Sequence, residues 1–386
     1  MRITLLANPD NLHVQRWIEF LAGRGHELTL ITDPFARHRP SQCRTLVVRW
    51  NVFTKILAFR LTPRPFGNDL WKHLHYRPLI KASRPEVVHG FEGFNYGLAT
   101  AYGGPYPKVL TVWGKDVHQD ADATRLGGWI VTHALRGVDC ITANDDSMPQ
   151  YLERRFGIDP ARVRAFSWGV DLSVFRPGLR EEAERWRQAL EIPAGASVLL
   201  SPRNFIPHWG SELLLEALPE IVRERPGAVF MILRGGAGAA EAFQTARARC
   251  EAAGVGRAVR FIDRVLTAQE MAGLFNLAAA FISIPATDLL AQTVLEGMAC
   301  GCLPILSDRP AYRKHARPGE NVLMLPEYSA SGLARMALEA LDNGALRERA
   351  GEENPRLMAR DEDWRINALQ MEEAYGAALE FWRRRR

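Results

Sequence analysis

The sequence predicts two α/β domains, each built on a parallel sheet covered by helices, and three observations carry that prediction. The chain opens as strand, helix, strand: apolar runs at residues 2–6 and 28–32 flank residues 13–24, where Val14, Trp17, Ile18, Leu21 and Ala22 recur at helical spacing. Such a unit closes right-handed with its two strands parallel. A polar connector over residues 177–194 is followed by a fresh apolar strand at 197–201, so the pattern restarts. Residues 281–308 form a further unit, with strand 281–284, a turn at Pro285, helix 293–300 and strand 303–307.

Between these landmarks, strands are expected at 87–89, 108–113 and 138–142 in the first half, and at 229–233 and 259–262 in the second. Leu333, Met336, Ala337 and Leu341 give residues 330–341 an apolar helical face, and a last helix spans 364–382. At 386 residues the chain is long enough for two cores, and 47% hydrophobic with 24% charged residues excludes disordered and fibrous classes. The opening apolar run, Ile3 to Ala7, is too short for a signal-peptide core, and no later run approaches a membrane span, so a cytoplasmic protein is expected. Five cysteines without CxxC spacing argue against a disulfide framework or a zinc site and read as small buried apolar residues.

Net charge is +5 but unevenly spread. Residues 37–84 hold Arg37, Arg39, Arg44, Arg49, Lys55, Arg60, Arg64, Lys72, Arg77, Lys81 and Arg84 against one acid, Asp69, with Trp50, Phe53, Phe59, Phe66, Trp71 and Tyr76 interleaved. Two readings stand side by side. One is a surface for an anionic partner such as lipid headgroups, a phosphorylated acceptor or nucleic acid, and the other is a solvated crossover whose aromatics belong to the core.

In the unit at 281–308, Asp288 and Glu296 stand eight residues apart, and the backbone amides of residues 289–293 would lie at a helix start, where they favour an anion such as a diphosphate. This spacing, followed by GMACGCLPILSD, resembles the E-x7-E signature of the retaining family-4 glycosyltransferases of GT-B fold. The resemblance extends to SWGVDLSVFRP, similar to the family's hinge with Trp168 in place of its Asn, and to VLTVWGKDVH, with Trp113 in place of its usual His. It also reaches PRNFIPHWG, where Arg203 and Gly210 fit but His208 or Trp209 stands where the family has Lys.

The resemblance implies a GT-B enzyme with two Rossmann-like domains facing a central cleft. Residues 1–177 would bind the acceptor, 178–363 the nucleotide-sugar, and 364–386 would form a helix crossing back to the first domain. It implies transfer from a UDP- or GDP-linked sugar to a hydroxyl acceptor, lipid-linked or a glycan precursor. No cofactor and no metal are implied, although Asp120 and Asp122 spell the DxD of the other glycosyltransferase fold. Asp288 would lie beside the transferred sugar, Glu296 would accept from the ribose hydroxyls, Arg203 would neutralise the leaving diphosphate, and Asp116 would take the acceptor's proton. Gly235, Arg264, Ala291, Gln292 and Thr293 complete the donor side. Asn11, His13, His89, Asn95, Trp113 and His118 form the acceptor side, because loops at the carboxyl ends of parallel strands bind ligands. For Asn11 and His13 a helix-capping turn competes, and Asp116 reads also as a turn cap. The membrane's inner face is a second expected location. A nucleotide-sugar epimerase or hydrolase, a scaffold without turnover and a nucleic-acid binder are the other classes open to the sequence.

Overall fold

In the computed structural model, which describes residues 1–49, 67–205, 209–234, 240–286 and 290–385 with only the backbone of 67–72, the apolar runs gather into two all-parallel sheets. The first holds β1 (Arg2–Leu6), β2 (Glu27–Thr32), β3 (Arg44–Val47), β4 (Val87–Phe91), β5 (Lys108–Thr111), β6 (Cys140–Ala143) and β7 (Val163–Ala165) in the order 3-2-1-4-5-6-7. Its connections run through α1 (Leu12–Gly23), α2 (Gly67–Ser83), α3 (Gly97–Ala101), α4 (Arg125–Arg136) and α5 (Met148–Phe156). Helix α1 buries Val14, Trp17, Ile18 and Leu21, the face its spacing predicts.

The second sheet follows α6 (Arg180–Ala189) and contains β8 (Val198–Ser201), β9 (Val229–Leu233), β10 (Val259–Ile262), β11 (Ala280–Ser283), β12 (Leu303–Leu306) and β13 (Leu323–Met324), ordered 10-9-8-11-12-13. Around it lie α7 (Ser211–Glu224), α8 (Ala240–Ala252), α9 (Ala268–Leu277), α10 (Gln292–Ala299), α11 (Ala330–Asp342), α12 (Gly344–Asp361) and α13 (Trp364–Asn367). Strand order reverses between β1 and β4 in the first sheet and between β8 and β11 in the second. At such switch points neighbouring loops diverge and leave a crevice at the carboxyl edge.

The chain divides into one unit of Met1–Ser167 with Ala368–Arg386 and another of Trp168–Asn367. The division falls earlier than Pro177, because Val170 pairs with Asp363 and both Phe175 and Leu179 enter the second core. The helix expected over 364–382 is interrupted, and α14 (Gln370–Arg384) begins after Leu369. Asn367 donates to the Asp361 carbonyl and to Glu362 Oε2 (3.3 Å), which ties α13 to the second unit. Helix α14 instead packs on β4, β5 and β6 of the first sheet, burying Met371, Ala374, Tyr375 and Ala378. Among the described residues all five cysteines are free, and four of them are buried. No helix of the described residues is long and apolar enough to cross a membrane.

Candidate functional site

The second unit's switch point is framed by the loop after β8 and the start of α10. Arg203 leaves β8 with its guanidinium carbon 3.9 Å above the Trp209 ring, and its Nη1 donates to Thr293 Oγ1 at 3.4 Å. Thr293 lies in the first turn of α10, whose cap, Ala291, contributes no side-chain hydrogen bond. Gln292 is buried and Glu296, one turn along the same helix edge, is half-buried. Gly210 has φ +80°, and an added Cβ would lie 2.5 Å from the Ile284 carbonyl oxygen, so the loop seats closely against the end of β11. Arg203, Ala291, Gln292, Thr293 and Glu296 are therefore placed on two adjoining elements. Asp288, Gly235 and His208 lie outside the described residues.

Arg264 is placed differently. It pairs with Glu270 at 2.6 Å and lies 5.3 Å over the Trp186 ring, and Glu270 is at the same time half of the capping box that starts α9 with Thr267. The Arg264 ion pair first, then the Thr267 amide, hold the Glu270 carboxyl down to about 2. Arg264 therefore serves the start of α9 in this conformation.

In the first unit, Asn11 caps α1, its side chain accepting from the His13 amide at 2.8 Å. His13 stands edge-on to Trp113 at 5.6 Å, so the ends of β1 and β5 meet through these two rings. Burial, assisted by Arg16, lowers the His13 imidazole to about 4 and keeps it neutral at pH 7. Asn95 donates to Glu92 Oε1 at 2.6 Å, and Glu92 itself has φ +77°, an uncommon conformation for a residue with a side chain. Burial pushes its carboxyl up to about 7.

Of the two readings of Asp116, its contacts are those of a turn cap. It is buried, and its carboxylate accepts from the backbone amides of Gly93 (2.6 Å), Trp113 (3.0 Å) and Val117 (3.0 Å). It latches the loop after β4 to the turn after β5, as the turn-cap reading expects. Burial raises its carboxyl to about 6, and the three amides oppose that rise. His89 is a correction to the sequence reading. Strand β4 continues to Phe91, which leaves His89 inside the sheet with Nδ1 2.9 Å from Tyr375 Oη and Nε2 2.7 Å from Thr111 Oγ1. A fully buried ring bonded on both nitrogens belongs to the core. His118 lies on the Tyr151 ring at 4.1 Å within a short π-helical turn, Asp116–Asp120. The two DxD acids are engaged locally, Asp120 by Lys115 and Asp122 by Arg155.

Of the basic segment, Arg37, Arg39, Arg44, Arg49, Arg77, Lys81 and Arg84 are exposed, and the edge strand β3 passes through it. Tyr76, however, is a core residue that donates to Asp33 at 3.0 Å. Trp50, Phe53, Phe59 and Phe66 lie outside the described residues, as does the Trp71 side chain.

Two parallel Rossmann-like sheets, with the terminal helix returning to the first, define a GT-B fold. Residues 11–174 match Glycosyltransferase Family 4 and residues 182–357 match Glycosyl transferases group 1, and the chain belongs to this glycosyltransferase family. A D-inositol 3-phosphate glycosyltransferase of Corynebacterium glutamicum is 26% identical over 245 residues, 62% of this chain and 58% of that protein. One of the same name from Saccharomonospora viridis is 29% identical, covering 64% of this chain and 57% of its own length. The chain spans about half the length of the curated relatives it matches. Sucrose-phosphate synthase from Thermosynechococcus elongatus shares the fold at TM-score 0.80, with 18% identity and 97% and 98% of the two chains covered. Anabaena HepE in complex with UDP and glucose does so at 0.76, with 13% identity and 97% and 99% covered.

Trp209 and Glu92 are the residues the sequence reading left out of the site. The exchange of the family's Lys for His208 or Trp209 was visible, and it is the signal that leads to Trp209. A glutamate in the left-handed region leaves no comparable mark, although the Gly that follows it, Gly93, marks a turn.

Proposed function

We propose that the protein is a retaining, metal-independent hexosyltransferase that moves a sugar from a UDP- or GDP-linked donor to a hydroxyl acceptor. The observation that supports this most directly is Arg203 against Thr293 at the first turn of α10, beside the second sheet's switch point. A guanidinium and the opening amides of a helix converge where a diphosphate's charge develops as the glycosidic bond breaks, and stabilisation of that charge lowers the barrier. Glu296 on the same helix accepts from the ribose hydroxyls, and Asp288 lies beside the sugar. With Asp116 committed to backbone amides, the departing phosphate oxygen takes the acceptor's proton, which fits retention of configuration and needs no strong protein base.

On the first unit, the exposed arginines 37, 39, 44 and 49 favour an acceptor that carries phosphate, free or lipid-linked. The relatives' names make inositol 3-phosphate the first acceptor to try. A panel of nucleotide-sugars scored by thermal stabilisation tests the donor, since a ligand at 100 times its Kd adds about 2.7 kcal/mol of stability. The cognate donor then supports transfer in chelator, and proton NMR of the product gives the donor's anomeric configuration. Absence of stabilisation across UDP- and GDP-sugars overturns the proposal, an inverted product overturns retention, and turnover lost in chelator and restored by a divalent cation overturns metal independence.

A further inference from the structure

We infer that Trp209 is a positioning residue that takes over the task of the absent second cation by holding the Arg203 guanidinium in one plane, turned toward the first turn of α10. The inference rests on the donor site proposed above. The guanidinium carbon is 3.9 Å from the Trp209 ring centre, and Nη1 is 3.4 Å from Thr293 Oγ1. The Thr293 contact is a long one for a hydrogen bond. A ring face lying against the guanidinium does restrict its plane, while its N–H groups point outward along that plane, the direction in which a guanidinium meets phosphate oxygens in pairs.

The ring in turn has a fixed base. Gly210 follows it at φ +80° with its backbone against the Ile284 carbonyl, and Ser211, the first residue of α7, is buried. A lysine at position 209 would supply charge without a plane, since an ammonium is a point charge on a flexible stem. Tryptophan supplies a plane without charge. The site exchanges a second positive charge for a fixed direction of the first.

The test is a double-mutant cycle on nucleoside diphosphate affinity in the full chain, with UDP and GDP as probes in calorimetry and thermal melting as the check on folding. Trp209→Leu is expected to weaken binding roughly tenfold in the wild-type background, the order of a partly desolvated cation–π contact. Combined with Arg203→Ala, it is expected to add no further loss. Trp209→Phe, which keeps a ring face, is expected to restore most of the affinity, and Trp209→Met replaces the leucine variant should that one not fold. Losses that add independently of Arg203, or a phenylalanine variant as weak as the leucine one, overturn the positioning role while leaving the donor site in place. A wild-type chain that binds neither UDP nor GDP overturns the donor-site reading and this inference with it.

Discussion

Replacing Asp116 by Asn is expected to remove a defined part of the protein's pH dependence. The Asp116 carboxyl is raised from 3.8 to about 6 in the folded chain, because burial disfavours its charge more than three backbone amides favour it. A raised carboxyl binds its proton more tightly folded than unfolded, so its contribution to stability is fully present below pH 3.8 and is lost as pH rises through 6. A tenfold difference in proton affinity between the two states is worth about 1.4 kcal/mol, and between pH 4.5 and 7.5 the wild-type chain accordingly loses about 2 kcal/mol from this group alone. The amide of Asp116→Asn has no proton to lose, and the variant keeps that stability constant across the window.

Glu92, pushed up to about 7 by burial and in smaller part by Asp116, works in the same direction, since removal of the Asp116 charge eases its titration. The assay is urea unfolding at both pH values, followed by hydrogen exchange in peptides from β4 and β5 so that the first unit is read by itself. Wild type and variant are expected to diverge by about 2 kcal/mol between the two pH values. Parallel curves would refute the buried, titrating carboxylate. A variant of wild-type stability at both pH values that had lost all turnover would return Asp116 to a chemical role.

Tyr375→Phe leaves His89 Nδ1 buried without its 2.9 Å partner and is expected to cost about 1–3 kcal/mol, read as earlier unfolding of β4 in hydrogen exchange. An unchanged exchange profile would mean that α14 does not brace the first sheet through this pair. Gly297→Ala sets a methyl into the Phe281 ring beneath α10 and is expected to lower stability by about 1–3 kcal/mol and to weaken nucleotide binding, as melting and calorimetry would register. Arg203→Ala is expected to reduce turnover on the order of a hundredfold, and a loss below about tenfold in steady-state kinetics would point to another cation, His208 first.

Continuous apolar runs were legible almost to the residue. VFMIL became β9 at the expected limits, because a strand covered on both faces needs no alternation and little else in a soluble chain reads that way. Strand β3 was missed because Arg44–Val47 sits on the sheet edge, half-buried at its middle residues and charged at its start, so its pairing with β2 is backbone chemistry that side chains do not announce. The end of the last helix's first segment was missed because it turns on Asn367 reaching back to Glu362, a buried acid also bonded by His315.

At the candidate site the same division holds. Arg203, Thr293 and the start of α10 were legible because they lie in short motifs. The Asp116 bond to the Gly93 amide was not legible because that amide comes from a loop 23 residues away, and nothing between the two positions indicates that they meet. His89 was misread for a related reason: its partner Tyr375 is 286 residues away on a helix that returns to the first sheet from the other end of the chain.

The proposed donor and acceptor loops differ in the kind of charge each presents. On the second unit's edge the proposed diphosphate site is built from an arginine and the opening amides of a helix. On the first unit's edge stand carboxyls raised to about 7 at Glu92 and about 6 at Asp116, in loops next to an imidazole at His13 held neutral by burial. A change of pH from about 6 to about 7 therefore alters the charge beside the proposed acceptor loops. Glu92 carries the larger share of that change at neutrality, and Asn95, which donates to its Oε1 at 2.6 Å, bonds the carboxyl in either state of charge. On the proposed reading, the pH response of transfer between about 6 and about 7 is expected in the acceptor's KM, while the donor's KM stays level, which steady-state kinetics at both pH values checks.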